Sequence, residues 1–356
     1  MADKVVHVVG TGTIGEPLTG LLLAHREEFG IDEVTFHKRT PLLTDRSKVT
    51  NLVAKGARLA TDADRMDAFR ELEMTPTLES SEALERATVV IDCTPIGNRM
   101  KEETYSKYTD KVRGFIAQGS EFGFGKMYAR GINDSALERD KDQFVQVVSC
   151  NTHNLAVLTE TVAGVSKTPE NLRSAQFLCL RRANDISQDD AFTPAPTVSK
   201  HSDPDFGTHH ARDLHHLYRT LGLELNNVFS SAIKLPTQYM HTIQFSIQTE
   251  EPVDHDAMIE KIRSNPRLSV TYKTSANAVF SFGRDHGHFG RILNQTVFCL
   301  PSLHLSKDRR TVHGFCFTPQ DGNSLLSSCS AALWFLDPDG YDAKIQLLKD
   351  FFFSEI

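Results

Sequence analysis

The feature that most restricts the fold of this 356-residue chain is a glycine-rich turn near its start. A short run with high β propensity, Val5–Val9, leads directly into Gly10-Thr11-Gly12-Thr13-Ile14-Gly15. Leucines at helical spacing follow within residues 16–26. A strand, a glycine turn and a helix in this order are the context that a dinucleotide-binding βαβ unit requires. The sequence therefore predicts an α/β fold whose N-terminal part is a Rossmann-type, doubly wound parallel sheet.

The three glycines have separate roles in this interpretation. Gly10 permits the tight turn, Gly12 lets the backbone approach a pyrophosphate, and Gly15 lets the helix pack closely against the strand. After the second predicted strand the chain carries Lys38 and Arg39, where an NAD site usually has an acidic residue. These cations favour the 2′-phosphate of NADP, although a solvated basic loop beside an NAD site would contain the same residues.

Charge and composition narrow the range of partners. The chain has 39 Lys and Arg against 46 Asp and Glu, a net charge of −7, which disfavours nucleic acid or an anionic membrane as a partner. No apolar run approaches the roughly 18 residues of a membrane-spanning helix, and the first residues lack the layout of a signal peptide. Six scattered cysteines without a Cys-x-x-Cys pair indicate reduced cytosolic thiols. We therefore expect a cytoplasmic protein with small-molecule partners and no metal.

A second informative segment surrounds Cys150. An apolar run at 144–148 predicts a buried strand, and it ends in a serine, this cysteine, an asparagine and a threonine, before a helical pattern begins. A thiol at the start of a helix lies at the positive end of the helix dipole, which lowers its pKa. A thiolate in a polar pocket is a nucleophile for carbonyl carbon. A cysteine at a strand end can equally be part of the core, so this segment alone leaves both interpretations open.

The residues after this helix predict a different kind of domain. Strands are predicted at 174–180, 229–235 and 243–247, and a helix is predicted at 209–221. Apolar and polar residues alternate along the last of these strands, which indicates that one face is buried. His241 precedes that strand and is a candidate general base for Cys150, although a lone histidine at such a position is commonly structural.

In their order along the chain, these segments resemble the archaeal-type (type II) glyceraldehyde-3-phosphate dehydrogenases over nearly the full length. The resemblance is carried by the glycine turn with Thr13-Ile14, residues 89–97, Gln118-Gly119-Ser120-Glu121, Val148-Ser149-Cys150-Asn151-Thr152, Arg181-Arg182-Ala183, His209-His210-Ala211-Arg212-Asp213, Leu235-Pro236-Thr237, Met240-His241, Gly283-Arg284-Asp285 and Gln320-Asp321. It implies a Rossmann domain at 1–149, an α+β catalytic domain with a mainly antiparallel sheet at 150–320, and C-terminal helices at 321–356 that return to the nucleotide domain.

The resemblance also implies a role for each matching residue. Cys150 would be the nucleophile and His241 the histidine that assists it. The substrate-binding residues would be Ser149, Asn151, Thr152, His209 and His210. Thr13, Ile14, Gly119, Ser120, Arg181, Arg182 and Gln320 would join the glycines and the basic pair as cofactor contacts.

The implied activity is the oxidation of glyceraldehyde 3-phosphate, in glycolysis or gluconeogenesis, by a homotetramer that uses NADP or NAD. A Cys150 thiohemiacetal would transfer hydride to the cofactor and become a thioester. Inorganic phosphate would then release 1,3-bisphosphoglycerate. We expect Arg182, His209 and His210 to supply positive charge for the two phosphate groups.

Three positions and the stretch after Arg182 depart from the family pattern. That stretch carries acids where the family has a basic loop: Asp185, Asp189 and Asp190. His153 and Asn154 stand where the family usually has a threonine and a glycine, and Ile243 stands where it usually has a histidine. These departures leave two alternatives open. One is a related aldehyde or acyl-phosphate oxidoreductase, such as a semialdehyde dehydrogenase, which usually needs an arginine for a substrate carboxylate. The other is a nucleotide-binding redox sensor that catalyses nothing.

Overall fold

The computed structural model describes residues 3–119, 121–186, 188, 192–319 and 321–356. The chain divides into two compact units, each assembled from more than one stretch of sequence. The first unit comprises Met1–Tyr128, Leu137–Val147 and Leu325–Leu347. The second comprises Ala129–Ala136, Val148–Ser324 and Leu348–Ile356.

The first unit contains an eight-stranded sheet in which every neighbouring pair is parallel. Its strands are β1 (Val5–Val9), β2 (Glu33–His37), β3 (Arg58–Thr61), β4 (Leu78–Glu79), β5 (Val89–Asp92), β6 (Gly114–Gln118), β7 (Lys126–Tyr128) and β8 (Phe144–Val147). Their order across the sheet is β4-β3-β2-β1-β5-β6-β8-β7. This order confirms the predicted doubly wound fold.

The order of the strands also locates the ligand crevice of this sheet. The chain runs outward from β1 to β4 on one side and then crosses back to place β5 on the other side of β1. Such a reversal is where open α/β sheets bind ligands, at the carboxyl ends of the strands. The glycine turn follows β1, so the predicted phosphate-binding segment lies at this switch point.

Helices connect the strands of the first unit. They are α1 (Gly15–Ala24), α2 (Arg26–Phe29), α3 (Arg46–Ala54), α4 (Met66–Glu71), α5 (Ser80–Arg86) and α6 (Gly97–Glu103). All residues of β1 and β5 are buried, as expected for parallel strands covered on both faces.

The second unit contains a mixed, mainly antiparallel sheet, as predicted. Its strands are β9 (Leu172–Arg181), β10 (Thr197–Val198), β11 (Val228–Lys234), β12 (Thr242–Thr249), β13 (Leu268–Thr271), β14 (Thr296–Cys299), β15 (His304–Leu305) and β16 (Thr311–Phe317). The order is β10-β11-β9-β12-β16-β14-β13, with β15 paired to β16. β12 is antiparallel to both β9 and β16, and its Ile243, Phe245 and Ile247 are fully buried, which confirms the alternating pattern.

The remaining helices are α7 (Cys150–Ala163), α8 (His209–Arg219), α9 (His255–Ser264), α10 (Ala276–His286), α11 (Gly322–Leu336) and α12 (Tyr341–Ile345). The C-terminal segment is α-helical only in part, because α12 ends at Ile345 and a 3₁₀ segment, Gln346–Phe351, follows. Phe353 packs into an apolar cluster of the second unit, and the Ile356 amide donates to the Val270 carbonyl at 2.9 Å. Among the described residues, no helix is long and apolar enough to cross a membrane.

Candidate active site

The glycine turn of the first unit is shaped by backbone constraints. Gly10 has a φ of +93°, which favours glycine, and its amide donates to the His37 carbonyl at 3.1 Å. A Cβ at Gly15 would overlap the carbonyl oxygen of Gly10. A Cβ at Gly12 would meet no atom within 4 Å. The protein itself therefore requires Gly10 and Gly15, whereas the open space at Gly12 fits a ligand that approaches the backbone closely.

Thr13 and Ile14 complete this turn, and Ile14 precedes α1 without a side-chain cap. The first amides of α1 are thus candidate donors to a pyrophosphate. Gly119 follows β6 with a φ of +69°, and its amide donates to the Val147 carbonyl at 2.9 Å. Two predicted cofactor contacts, Ser120 and Gln320, lie outside the described residues. The residues that are described fit a dinucleotide.

The two cations that follow β2, Lys38 and Arg39, differ in their surroundings. Lys38 forms an ion pair with Asp45 at 2.5 Å, and Lys48 pairs with the same carboxylate at 3.0 Å. Arg39 is exposed. Of the two cations predicted to meet a 2′-phosphate, Lys38 is thus already engaged within the protein, whereas Arg39 faces solvent.

Cys150 is the first residue of α7 and belongs to the second unit. Ser149 caps this helix, because its Oγ accepts from the Thr152 amide at 3.2 Å. The buried His153 ring donates from Nδ1 to the Ser149 carbonyl at 2.9 Å. The carbonyl of Cys150 accepts from the side-chain amide of Asn154 at 2.7 Å. Side chains therefore fix the backbone on both sides of the thiol.

The expectation of a lowered thiol pKa is wrong for this structure. Burial raises the pKa of Cys150 well above its ordinary value, and the negative charge of the Asp321 carboxylate raises it further. The Arg182 guanidinium acts in the opposite direction without cancelling these effects. The helix dipole favours a thiolate, but loss of solvation and a neighbouring carboxylate outweigh it.

Asp321 and Arg182 form a buried ion pair beside this thiol. Arg182 Nη2 lies 2.9 Å from the Asp321 carboxylate and 2.9 Å from that of Asp185. Asp321 is 8% exposed and has a φ of +65°, an uncommon value for a residue other than glycine. The positive charge expected from Arg182 for a phosphate is thus compensated by two carboxylates.

The predicted substrate histidines are also uncharged at neutral pH. Burial lowers the pKa of His209 to about 4, with a further contribution from Arg181. Burial lowers that of His210 well below its ordinary range, with smaller contributions from His209 and Arg181. The two rings lie at the start of α8 with centroids 3.9 Å apart. They can donate hydrogen bonds, but the positive charge predicted for them is absent, and half-buried Arg181 is the cation that acts on both.

His241 immediately precedes β12 and is linked to the cysteine turn through Asn151. The Asn151 Nδ2 lies 3.3 Å from His241 Nδ1 and 3.5 Å from His210 Nε2. His241 is 7% exposed, and burial, with the nearby Arg182, lowers its pKa to about 3. The structure therefore brings Cys150, Asn151, His210 and His241 together in the second unit, with both imidazoles neutral.

Two further residues of this site were not identified as site residues from the sequence. Thr318 Oγ1 lies 3.3 Å from Asn151 Oδ1 and 3.1 Å from Asn154 Nδ2. Asn323 Nδ2 donates to the Cys150 carbonyl at 3.0 Å. Both residues lie far along the chain from Cys150 and belong to no local motif. The one related signal in the sequence is Asn154, a partner of Thr318 that departs from the family pattern. Across the part of the chain that is described, no group of His, Cys, Asp or Glu side chains is arranged to hold a metal ion.

Comparison with known proteins gives a consistent result. The chain is 28% identical to a glyceraldehyde-3-phosphate dehydrogenase of Methanobacterium bryantii over 301 residues, 80% of each chain. It is 29% identical to one of Methanobacterium formicicum over 278 residues, 74% of this chain and 73% of the relative. It is 24% identical to one of Pyrobaculum arsenaticum over 321 residues, 87% of this chain and 84% of the relative.

No protein-family model matches the chain. The similarity to the archaeal proteins nevertheless covers most of each chain and confirms the resemblance that the motifs predicted. The chain is thus similar over most of its length to archaeal glyceraldehyde-3-phosphate dehydrogenases, at 24–29% identity.

Proposed function

We propose that this relative of the archaeal-type glyceraldehyde-3-phosphate dehydrogenases is itself a phosphorylating, nicotinamide-dependent aldehyde dehydrogenase. The single observation that carries the proposal is the arrangement around Cys150. A half-buried thiol at the start of α7 shares one polar cluster with a neutral histidine, His241, through the side chain of Asn151. The glycine turn of the first unit supports a dinucleotide cofactor. The names of the archaeal relatives support glyceraldehyde 3-phosphate as the substrate.

The proposed reaction begins when the sulfur of Cys150 bonds to the aldehyde carbon and the carbonyl oxygen becomes an oxyanion. The thiol loses its proton in this step. Two groups are candidates to accept it: the Asp321 carboxylate, whose charge acts on the thiol, and the His241 imidazole, which is linked to the cysteine turn through Asn151. A bound nicotinamide would accept the hydride that leaves the same carbon as the oxyanion collapses, and a thioester would remain on Cys150.

The second half of the reaction needs a pocket for phosphate. Inorganic phosphate attacks the thioester carbon, the carbon–sulfur bond breaks, and an acyl phosphate leaves. Ser149 and Thr152 offer hydroxyl groups beside the thiol, and His209 and His210 offer neutral ring donors. We propose that Arg181, rather than the paired Arg182, supplies the charge for the substrate phosphates.

The cofactor preference, the oligomeric state, the pathway and the domain limits are also proposals. We propose that NADP is accepted through Arg39, that the enzyme is a cytoplasmic homotetramer, and that it works in glycolysis or gluconeogenesis. We retain residues 1–149 as the proposed nucleotide domain, 150–320 as the catalytic domain and 321–356 as the returning segment.

The test is a set of initial rates with glyceraldehyde 3-phosphate, with and without inorganic phosphate, and with NADP and NAD separately. We expect sustained reduction of the cofactor only when phosphate, or arsenate in its place, is present. A sustained rate that does not change when phosphate is omitted would contradict the phosphorylating reaction. Turnover with an aspartate or glutamate semialdehyde alone would point to the related oxidoreductases instead. A wild-type Cys150 that resists alkylation, with intact cofactor binding, would favour the redox-sensor alternative.

A further inference from the structure

We propose that Asn151 is a positioning residue that fixes His241 in the tautomer protonated at Nε2. In this tautomer His241 donates a hydrogen bond to the oxyanion and does not accept the thiol proton. The inference deepens the proposed function and rests on it for its chemical meaning. It is carried by a chain of side-chain hydrogen bonds in which each donor is set by the one before.

The chain begins at the carbonyl of Cys150, which can only accept hydrogen bonds. Asn154 lies 2.7 Å from this oxygen, so the atom that faces it must be the Nδ2 amide. The opposite orientation would place two acceptors against each other. The Asn154 Oδ1 then faces Cys316 Sγ at 3.7 Å, a thiol that can donate to it. The orientation of Asn154 is therefore decided by its neighbours.

The second step runs through Thr318, which is 2% exposed. Asn154 Nδ2 lies 3.1 Å from Thr318 Oγ1 and donates to it. The hydroxyl hydrogen of Thr318 then has the Asn151 Oδ1, at 3.3 Å, as its acceptor. Thr318 thus receives a hydrogen bond from one asparagine and donates one to the other.

The rival arrangement turns the Asn151 amide around, so that its Nδ2 also donates to Thr318. No other acceptor for the Thr318 hydroxyl is found within the described part of the chain. A buried hydroxyl hydrogen would then be left unpaired, at a cost of about 1–3 kcal/mol. This cost favours the arrangement in which the Asn151 oxygen faces Thr318.

With its oxygen directed at Thr318, Asn151 presents both amide hydrogens to histidines. Nδ2 lies 3.3 Å from His241 Nδ1 and 3.5 Å from His210 Nε2. Both ring nitrogens must accept, so the proton of neutral His241 is on Nε2 and that of neutral His210 is on Nδ1. His210 Nδ1 lies 3.4 Å from Ser149 Oγ, an atom that can accept it. One asparagine therefore sets the tautomers of two buried imidazoles in opposite senses.

This assignment changes the route of the thiol proton. The lone pair of His241 Nδ1 is occupied by the amide hydrogen, and Nε2 already carries a proton. As the carbon–sulfur bond forms, the thiol proton passes to the Asp321 carboxylate, whose charge acts on the thiol. The oxyanion accepts a hydrogen bond from His241 Nε2 until hydride leaves and the carbonyl reforms. The proton on Asp321 is then released to solvent.

Nitrogen NMR of histidine-labelled protein in the absence of substrate tests the assignment, because a protonated and an unprotonated ring nitrogen resonate far apart. A His241→Gln spectrum identifies the signals of His241. We expect Nε2 protonated and Nδ1 unprotonated in the wild type. Asn151→Asp offers only acceptors and should reverse the pattern to Nδ1 protonated. Thr318→Val should leave a mixture of both tautomers.

Thr159→Val is the matched control, because Thr159 is a buried threonine of α7 whose hydroxyl donates to the Leu155 carbonyl at 2.8 Å. Its spectrum should be the same as that of the wild type. A wild-type His241 protonated at Nδ1, or a Thr318→Val spectrum without change, would overturn the inference. Turnover plays no part in this readout, so an enzyme inactive on glyceraldehyde 3-phosphate would contradict the proposed function and leave the tautomer result standing.

Discussion

The glycine turn after β1 and the cysteine turn before α7 are built in opposite ways. In the glycine turn, backbone atoms define the site: Gly10 adopts a positive φ, and Gly15 leaves no room for a side chain. In the cysteine turn, side chains define the site, and several of them come from distant segments. Arg182 and Asp321, for example, are 139 positions apart.

This difference explains which changes each site can tolerate. A backbone site depends on the absence of side chains, so a single methyl group in the wrong place destroys it. A side-chain site depends on the direction of each hydrogen bond and on the charge of each group, so isosteric changes suffice to alter its chemistry. Substitutions in the two turns should therefore have different consequences for stability, cofactor binding and thiol reactivity.

The largest loss of stability is expected from Gly15→Ala in the glycine turn. Its Cβ would overlap the Gly10 carbonyl oxygen, and overpacking of this kind costs about 2–3 kcal/mol. We expect a clear fall in the thermal unfolding temperature, by roughly 5–10 °C, measured by circular dichroism together with cofactor binding.

Gly12→Ala is the matched variant, because its Cβ would meet no protein atom within 4 Å. Its unfolding temperature should stay close to that of the wild type, while cofactor affinity falls by about tenfold or more, a loss of about 1.4 kcal/mol. Equal losses of stability in the two variants would contradict the separate roles of the two glycines.

A smaller effect, on the reactivity of the thiol, is expected when the charge around Cys150 is changed. Burial and Asp321 raise the pKa of the thiol, so in the free enzyme the alkylation rate of Cys150 should be low at neutral pH and rise as the pH increases. Asp321→Asn removes the repelling carboxylate, and asparagine tolerates the positive φ. We expect the alkylation profile to move to lower pH. Peptide-resolved mass spectrometry separates Cys150 from half-buried Cys93.

Asp185→Asn is the control for this variant. Asp185 pairs with the same guanidinium at 2.9 Å, but its repulsion of the thiol is the weakest of the resolved causes. Its profile should move by less than that of Asp321→Asn. Identical shifts would mean that the release of Arg182, and not the carboxylate beside the thiol, controls the nucleophile.

The smallest effect, on the KM for NADP, is expected from a change in the basic pair after β2. Arg39→Ala should raise KM for NADP by about three- to tenfold, the loss of one charge-assisted phosphate contact, and leave KM for NAD unchanged. Arg70→Ala, on the exposed surface of α4, is the control. If neither cofactor responds to Arg39→Ala, the basic pair is a solvated loop beside the nucleotide site.

The sequence predicted the elements better than the site. β1 has the predicted limits. The alternating burial of β12 can be predicted from the sequence because periodicity is a local property. The thiol pKa of Cys150 was predicted with the wrong sign, because the helix start is local whereas Asp321 is not. Burial likewise leaves His210 neutral, and the charge of Arg182 is already paired with two carboxylates, which no local pattern indicates. Thr318 was missed because a lone threonine carries no pattern.

In the proposed reaction the substrate becomes bound to Cys150 as a thioester. Protein mixed with glyceraldehyde 3-phosphate and NADP, without phosphate, can be quenched in acid, digested and analysed by mass spectrometry. We predict a phosphoglyceroyl adduct on the peptide that contains Cys150, its disappearance when phosphate is added before the quench, and no adduct in Cys150→Ser. Reduction of NADP without an adduct on Cys150, or with an adduct on another cysteine, would contradict a reaction through a Cys150 thioester.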